Sequence, residues 1–302
     1  MRYIWPQKTV MVSPKKSANF SDFVFGFLRL VRWPNLLMVA ITQYLGRLFL
    51  VGPAANWQVS LRENALFFIV GSTVLVAAAG YIINDYFDVK IDLVNKPRRV
   101  VIGRYLKRRW AMTFHHGLNM LGCTLGFFAG KWVFLISVCS ATLLWFYSSY
   151  FKRKPFIGNF VVAALSALPL VVLAVYYSQN RNLVAFYALF AFGITLIREI
   201  IKDMEDLRGD ASQGCRTLPI AWGVRRTKQF TYFLISLFIP TLFVAAHLLQ
   251  NLFLAWVFAV LLLPIAWLTY RLVFADTRRE FGALSQLCKI IMLGGILSMV
   301  GA

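Results

Sequence analysis

The sequence predicts an all-α, polytopic membrane protein with nine transmembrane helices, and three observations predict that class. Apolar residues make up 59% of the 302 residues and charged residues only 15%, whereas a soluble domain carries about a quarter charged residues. The mean hydropathy is +0.66. Nine apolar stretches have roughly the twenty residues that an α-helix needs to cross the hydrocarbon core of a bilayer.

The apolar stretches place the helices in chain order. They leave a short basic tail at residues 1–22 and a single transmembrane domain at residues 23–302. Polar residues interrupt the ends of some helices, and at the ends of the second and sixth helices these residues are acidic. Four cysteines without paired spacing indicate neither a disulfide framework nor a metal motif. The predicted helices are 23–51, 65–90, 109–129, 132–151, 157–177, 183–204, 228–249, 252–274 and 281–301.

The basic residues alternate between the two predicted sides of the membrane. The tail and the loops after the even-numbered helices hold 24 Lys and Arg residues, whereas the opposite loops hold only Arg62, Lys131 and Arg181. Cytoplasmic loops are enriched in Lys and Arg, so we expect a cytoplasmic N-terminus and an external C-terminus. The net charge of +20 then follows membrane topology, and no nucleic-acid partner is predicted. The expected location is the inner or plasma membrane of the cell.

Eight of the twelve acidic residues lie in two short clusters at the predicted cytoplasmic ends of helices. Charged side chains in a membrane segment are costly, so such clusters indicate a functional site. Helical spacing puts the residues of the first cluster within an arc of about 100° and those of the second within about 60°, except for Glu205, which points elsewhere. The first face carries Asn84, Asp88 and Asp92, with Asp85 about a quarter turn away. The second face carries Glu199, Asp203, Asp206 and Asp210.

The composition of the two clusters predicts a divalent metal ion and an anionic ligand. Stacked carboxylates repel one another more strongly as the dielectric constant falls, and a cation would neutralise them. Oxygen donors without His or Cys suit Mg²⁺ or Ca²⁺. Basic residues beside both clusters would match the oxygens of a diphosphate, on a substrate with a hydrocarbon tail. Two alternatives remain: the acids pair only with these basic residues, or the basic residues serve only as topology signals.

Residues 84–92 match the pattern N-D-x-x-D-x-x-x-D, and the chain resembles the UbiA superfamily of intramembrane prenyltransferases. The resemblance covers roughly residues 29–222. Three further segments look like motifs of the superfamily: Arg32-Trp33-Pro34-Asn35, Tyr147 with Lys152, and Asp206-x-x-x-Asp210. The resemblance implies nine helices around a central cavity that opens laterally to lipid, with Mg²⁺ and a prenyl diphosphate at its cytoplasmic end.

The resemblance also implies roles for individual residues. Asn84, Asp88 and Asp92 would hold one Mg²⁺, and Asp203, Asp206 and Asp210 would surround the other. The diphosphate would be bound by Lys152, Lys202, Arg98, Arg99 and Asn35. The residues expected to take part in catalysis are Asp88, Asp206 and Tyr147.

Residues 198–210 look like the same stretch of geranylgeranylglycerol-phosphate geranylgeranyltransferases within the superfamily. This implies O-prenylation of geranylgeranylglyceryl phosphate, with geranylgeranyl diphosphate as the donor. Two alternatives stay open. The acceptor could be an aromatic quinone or tetrapyrrole precursor. The acids could instead belong to a cation- or proton-coupled transporter, although transporter sites usually lie near the bilayer midplane in repeated halves.

Overall fold

A computed structural model describes residues 20–52, 57–97, 100–248, 250 and 252–302 of the chain. Within these residues the secondary structure is helical, without a β-strand. Most of the predicted basic tail lies outside the described residues. The α-helices are α1 (Phe20–Leu30), α2 (Trp33–Leu45), α3 (Trp57–Leu61), α4 (Asn64–Asn95), α5 (Arg108–Ala129), α6 (Lys131–Ser149), α7 (Ile157–Tyr177), α8 (Arg181–Ser212), α9 (Leu218–Trp222), α10 (Val224–Leu248), α11 (Leu252–Phe274) and α12 (Arg278–Leu297). Short non-α turns occupy Gly46–Val51, Phe151–Arg153 and Ser298–Gly301.

Eight helical segments among the described residues are long and apolar enough to cross a membrane. The predicted all-α polytopic class is therefore confirmed. The predicted helix 109–129, which is not among these eight, corresponds to α5, which has 22 residues but carries two Arg and two His side chains. The count of nine is therefore approximate, because α5 has the length of a span without the apolar composition of the other eight.

The first predicted helix, 23–51, is wrong as a single element because the chain breaks between α1 and α2. Arg32 has a left-handed backbone, with φ at 52°. Pro34 is the cause, since a proline has no N–H to donate and is tolerated only in the first turn of a helix. The chain therefore restarts at Trp33, and Pro34 occupies the start of α2.

The second and sixth predicted helices are both too short at the end that carries the acids. α4 continues to Asn95 and α8 continues to Ser212, so both acidic clusters lie entirely on helices. The side chain of Asn95 joins the two ends. Its Nδ2 donates to the carbonyl of Asp206 at 3.0 Å, and its Oδ1 accepts from the N–H of Gly209 at 3.0 Å. This approach needs a glycine, since a Cβ at position 209 would overlap the amide atoms of Asn95.

Polar contacts and small residues hold the long helices together, as expected where lipid removes the hydrophobic drive for association. Ser72 of α4 and Ser137 of α6 share a hydrogen bond of 2.7 Å. Gln43 of α2 is fully buried. It donates to Thr73 of α4 at 3.1 Å and to the carbonyl of Pro169 of α7 at 3.0 Å. α2, α4 and α7 are thereby fixed around one interior space.

The segment between α4 and α5 is folded against the bundle. Val101, Ile102 and Leu106 are buried and pack with Leu30 of α1 and Ala111 of α5. This segment supports the end of the bundle at which the acidic clusters lie. A capping box of Thr277 and Glu280 starts α12 at the same end.

Candidate active site

A cavity of about 1070 Å³ lies between α2, α4, α6, α7, α8 and α12. Its two ends differ in chemistry. One end is lined by polar and charged residues of the acidic clusters, and the remainder is largely apolar. The apolar lining includes Leu144, Val162, Leu165, Phe190, Ile194, Met292, Ile296 and Met299.

α4 supplies an acidic wall at the polar end of the cavity. Asn84, Asp85, Asp88 and Asp92 all line the cavity, so the face predicted from helical spacing is the face that the fold uses. Asp88 is buried. Asn84 donates to the Asp88 carboxylate at 2.9 Å, which orders the two side chains against each other.

Lys152 reaches the acidic wall from the turn that follows α6. The turn at Phe151–Arg153 returns this residue to the cavity, where Tyr147 of α6 also lies. Lys152 forms an ion pair with Asp88 and donates to Asn84 at 3.2 Å. Burial lowers the pKa of the Lys152 ammonium, but the Asp88 carboxylate outweighs this effect and raises the pKa above its usual value. Lys152 therefore carries its positive charge into the site.

The second acidic cluster divides between the cavity and the helix packing around it. Asp206 lines the cavity, with the Nζ of Lys96 2.8 Å from its Oδ1 and 2.9 Å from its Oδ2. Asp203 accepts a hydrogen bond of 2.8 Å from Asn159 of α7. Asp210 is buried. Asp203 and Asp210 are absent from the described cavity lining, so the fold brings only Asp206 of these three to the cavity surface.

The break between α1 and α2 adds a further ion pair to the acidic wall. Arg32 donates to Asp85 at 2.8 Å and lies 4.9 Å from the ring centre of Tyr81. Asn35 donates weakly to the Tyr81 hydroxyl at 3.4 Å. Burial lowers the pKa of Arg32, but the nearby Asp85 carboxylate outweighs this effect, so the pKa lies above its usual value. Arg32 and Asn35, the two defining residues of the R-x-x-N segment, both line the cavity.

α8 continues the charged lining deeper into the bundle. Glu199 accepts from Lys202 at 3.3 Å and pairs with Arg198, and all three residues line the cavity. The predicted diphosphate ligands Arg98 and Arg99 lie outside the described residues. Of the other predicted diphosphate ligands, Lys152, Lys202 and Asn35 lie together in the cavity.

The donor set suits a hard cation by its chemistry. The predicted ligands are carboxylate and amide oxygens, which Mg²⁺ prefers, and Asn84, Asp88, Asp92 and Asp206 face one cavity. Among the described residues, no three acidic, His or Cys side chains are close enough together to enclose an ion. The ammonium groups of Lys96 and Lys152 neutralise Asp206 and Asp88 instead. The internal pairing considered as an alternative does occur, and it supplies positive charge where a diphosphate would bind.

Two polar groups of the site were missed from the sequence. Asn95 was missed because nothing local distinguishes it from other polar residues at a helix end. Lys289 lines the cavity from the middle of α12. A signal for it was present, since it is the one charge within the predicted span 281–301, and a charge inside a span indicates function.

The fold and the cavity define the class of this protein: an integral membrane protein whose helices surround a cavity with a charged end and an apolar interior. The chain belongs to the UbiA prenyltransferase family, whose profile matches residues 40–287. The resemblance stated from the motifs is therefore confirmed. The chain is a prenyltransferase, which excludes the transporter alternative.

Relatives and solved structures agree with the family. A protein of Thermococcus kodakarensis named digeranylgeranylglyceryl phosphate synthase is 34% identical over 66% of this chain and 70% of its own length. A protein of the same name from Methanothermobacter thermautotrophicus is 30% identical over 91% of this chain and 93% of its own length.

A structure described for digeranylgeranylglyceryl phosphate synthase in membranes has a TM-score of 0.71 and 26% identity. It covers 93% of this chain and 98% of that chain. A UbiA homolog from Archaeoglobus fulgidus, bound to DMAPP and Mg²⁺, has a TM-score of 0.64 and 15% identity. It covers 91% of this chain and 99% of that chain. This second likeness concerns the fold alone.

Proposed function

We propose that this chain transfers a prenyl group, with Mg²⁺, from a prenyl diphosphate to the glycerol hydroxyl of geranylgeranylglyceryl phosphate. Geranylgeranyl diphosphate is the expected donor. The observation that carries the proposal is the single cavity that joins the charged end to an apolar interior. The acceptor is supported by the similarity, along most of the chain, to relatives named digeranylgeranylglyceryl phosphate synthase.

The charged end fits the head of the donor. Asn84, Asp88, Asp92 and Asp206 would hold Mg²⁺, and we retain Asp203 and Asp210 as predicted ligands that would have to turn toward the cavity. Bound Mg²⁺ would neutralise the diphosphate as a leaving group. This is consistent with the A. fulgidus homologs, which bind DMAPP or GPP with Mg²⁺.

The basic side chains would bind the phosphoryl oxygens directly. Lys152 would exchange its contact with Asp88 for the diphosphate, and Lys202 would approach from α8. When the bond between the prenyl C1 and the diphosphate oxygen breaks, the electron pair stays with the diphosphate. The glycerol oxygen then bonds to C1 and releases its proton. Stabilising charge on the leaving group lowers the barrier to this step.

The apolar part of the cavity would hold the prenyl chain and exclude water from the allylic cation. Tyr147 borders the charged end, where an aromatic face stabilises nearby positive charge. Excluding water is necessary because hydrolysis would otherwise compete with transfer. The Phe190 and Met299 side chains line the interior away from the acids.

The reaction can be tested with purified protein in nanodiscs, labelled geranylgeranyl diphosphate, Mg²⁺ and geranylgeranylglyceryl phosphate. We expect a new ether lipid that disappears in EDTA and in the Asp88→Ala and Asp206→Ala variants. Asp276→Ala is the matched control, because this exposed carboxylate pairs with Lys228 away from the cavity. Full activity in EDTA, or in both site variants, would contradict the proposed metal site.

The acceptor can be tested in the same assay with an aromatic quinone precursor and a tetrapyrrole precursor. We expect transfer only to the glycerol phosphate lipid. Transfer to a ring acceptor, with none to the glycerol phosphate lipid, would retain the reaction class and overturn the proposed acceptor.

We propose further that the charged end faces the cytoplasm. The support is the excess of Lys and Arg on the predicted inner side. Lys96 and Lys152 belong to that excess and lie at the charged end of the cavity. A soluble prenyl diphosphate could then enter from the cytoplasm.

A further inference from the structure

α8 and α12 each carry a basic side chain into the cavity, at a depth where charge is costly. Arg198 precedes Asp206 by eight residues, which corresponds to about 12 Å along a helix. Lys289 lies in the middle of α12. Both side chains line the cavity, and we refer to Arg198 and Lys289 together as the deep cation pair.

The helix register places the deep cation pair at one level. α8 and α12 run antiparallel. A Cβ at Gly282 would lie 3.5 Å from the carboxyl carbon of Glu205, and the Tyr187 hydroxyl contacts the Ser298 hydroxyl at 3.0 Å. Between these two contacts, position 198 on α8 lies opposite positions 288–289 on α12. The pair therefore forms one basic region across the α8–α12 interface.

This region marks the boundary between the charged and apolar parts of the cavity. Deeper along α8, the lining residues include Ile194 and Phe190; deeper along α12, they include Met292 and Ile296. Residues 290–302 hold no charged side chain. A lipid whose head bound here would therefore extend its chain into the apolar interior.

Hydrogen-bond donors at this level favour an anion. Arg198 of α8 and Lys289 of α12 both line the wall, and Arg198 also pairs with Glu199. The Nε of Arg198 is buried without a hydrogen-bond partner among the described residues. Ser285 and Gln286 of α12 also line this wall and can donate hydrogen bonds. Arg forks match phosphate oxygens.

We propose that the deep cation pair binds the phosphate monoester of the acceptor lipid. The inference rests on the proposed function and assigns the two phosphorylated substrates to different depths of the cavity. The donor diphosphate and its metal occupy the charged end, between α4 and the Lys202 and Asp206 side chains of α8. The acceptor phosphate lies deeper, between Arg198 and Lys289. Arg198 lies one turn, about 6 Å, below Lys202, so a glycerol can span from one head group to the other.

The test compares two acceptors that differ only in the phosphate: geranylgeranylglyceryl phosphate and geranylgeranylglycerol. For Lys289→Met and Arg198→Met, we expect the KM for the phosphorylated acceptor to rise about 10- to 100-fold, the loss of a hydrogen bond to a charged group. In Lys289→Met, the KM for geranylgeranyl diphosphate and the rate of transfer to geranylgeranylglycerol should change less than about twofold, because neither substrate uses this side chain. Arg198→Met is compared by its acceptor KM alone, since Glu199 links Arg198 to the donor ligand Lys202. Lys289→Arg should restore most of the affinity. Lys131→Met is the matched control, since Lys131 lies at the start of α6 over the ring of Trp132.

A second measurement is independent of turnover. A bound ligand stabilises the folded protein according to its affinity. In EDTA, the phosphorylated acceptor should therefore raise the unfolding temperature of the wild type and of Lys131→Met. It should raise the unfolding temperature of Lys289→Met much less. The inference is overturned if Lys289→Met weakens the reaction with geranylgeranylglycerol as much as the reaction with the phosphorylated acceptor. It is also overturned if the KM for the donor rises as much as the KM for the phosphorylated acceptor. In those cases the proposed function stands. If the wild type forms no ether with the phosphorylated acceptor, the proposed function fails as well.

Discussion

The contact between Asn95 and Gly209 predicts a measurable coupling between the two acidic helices. Asn95→Ala removes two buried hydrogen bonds of 3.0 Å, to the carbonyl of Asp206 and from the N–H of Gly209. At about 0.5–1.5 kcal/mol each, their loss should lower the free energy of unfolding by about 1–3 kcal/mol. Asp206 on α8 would then no longer be held in place by a hydrogen bond from α4.

Gly209→Ala perturbs the same contact by overlap. The added Cβ would lie 2.6 Å from Oδ1 of Asn95 and closer still to its Cγ and Nδ2. Overpacking of this kind costs about 1–3 kcal/mol, partly offset by the higher helix propensity of alanine. In the double variant the shorter side chain at position 95 removes the overlap, so the second substitution should cost less than it does alone.

Unfolding of the purified protein in mixed micelles, followed by tryptophan fluorescence, measures the four proteins of this cycle. We expect the double variant to be less destabilised than the sum of the single variants by about 1–2 kcal/mol, within the range seen for contacting residues. Additive effects would refute the contact. The prenyl-transfer rate should fall in both single variants and recover partly in the double variant, because Asp206 regains its position.

Two further predictions concern the other end of the bundle and its orientation. Burial raises the pKa of Glu63, but hydrogen bonds from Arg47 and Tyr177 outweigh this and hold the pKa below its usual value. The folded state therefore binds this proton more weakly than the unfolded state. The resulting stability is present above about pH 4.3 and is lost as pH falls through the depressed pKa. Glu63→Gln should thus have a lower unfolding midpoint than the wild type at pH 7 and the same midpoint in acid. A difference between the two midpoints that persists in acid would contradict this role of the Glu63 carboxylate. For orientation, protease added to inside-out vesicles should remove an N-terminal epitope and spare one placed after Ala302, and the reverse pattern would place the charged end outside.

The acidic wall shows how far helical spacing can predict a site. Asn84, Asp88 and Asp92 were predicted to share one face, and all three line the cavity. The same reasoning put Asp203, Asp206 and Asp210 on one face. The fold engages Asp203 with Asn159 and buries Asp210, because the neighbouring helices determine which part of a broad face meets the cavity.

The ends of elements were harder to predict than their existence. The helix 252–274 was predicted with the bounds that the structure has, since an uninterrupted apolar stretch determines it. α4 and α8 extend beyond their predicted ends because Asn95 and Lys96 bind groups on α8 that are more than 100 residues away in the chain. No local pattern reports such partners.

By itself, the sequence determined the membrane class, the reaction class and the acidic wall, because these depend on composition, on helical period and on a motif within nine residues. Only the tertiary structure decided which cations face those acids and where the second basic region lies. Lys152 and Asp88 are 64 residues apart, and Lys96 and Asp206 are 110 apart. Such pairs form because helix packing brings distant charges into one low-dielectric cavity, where each charge needs a partner.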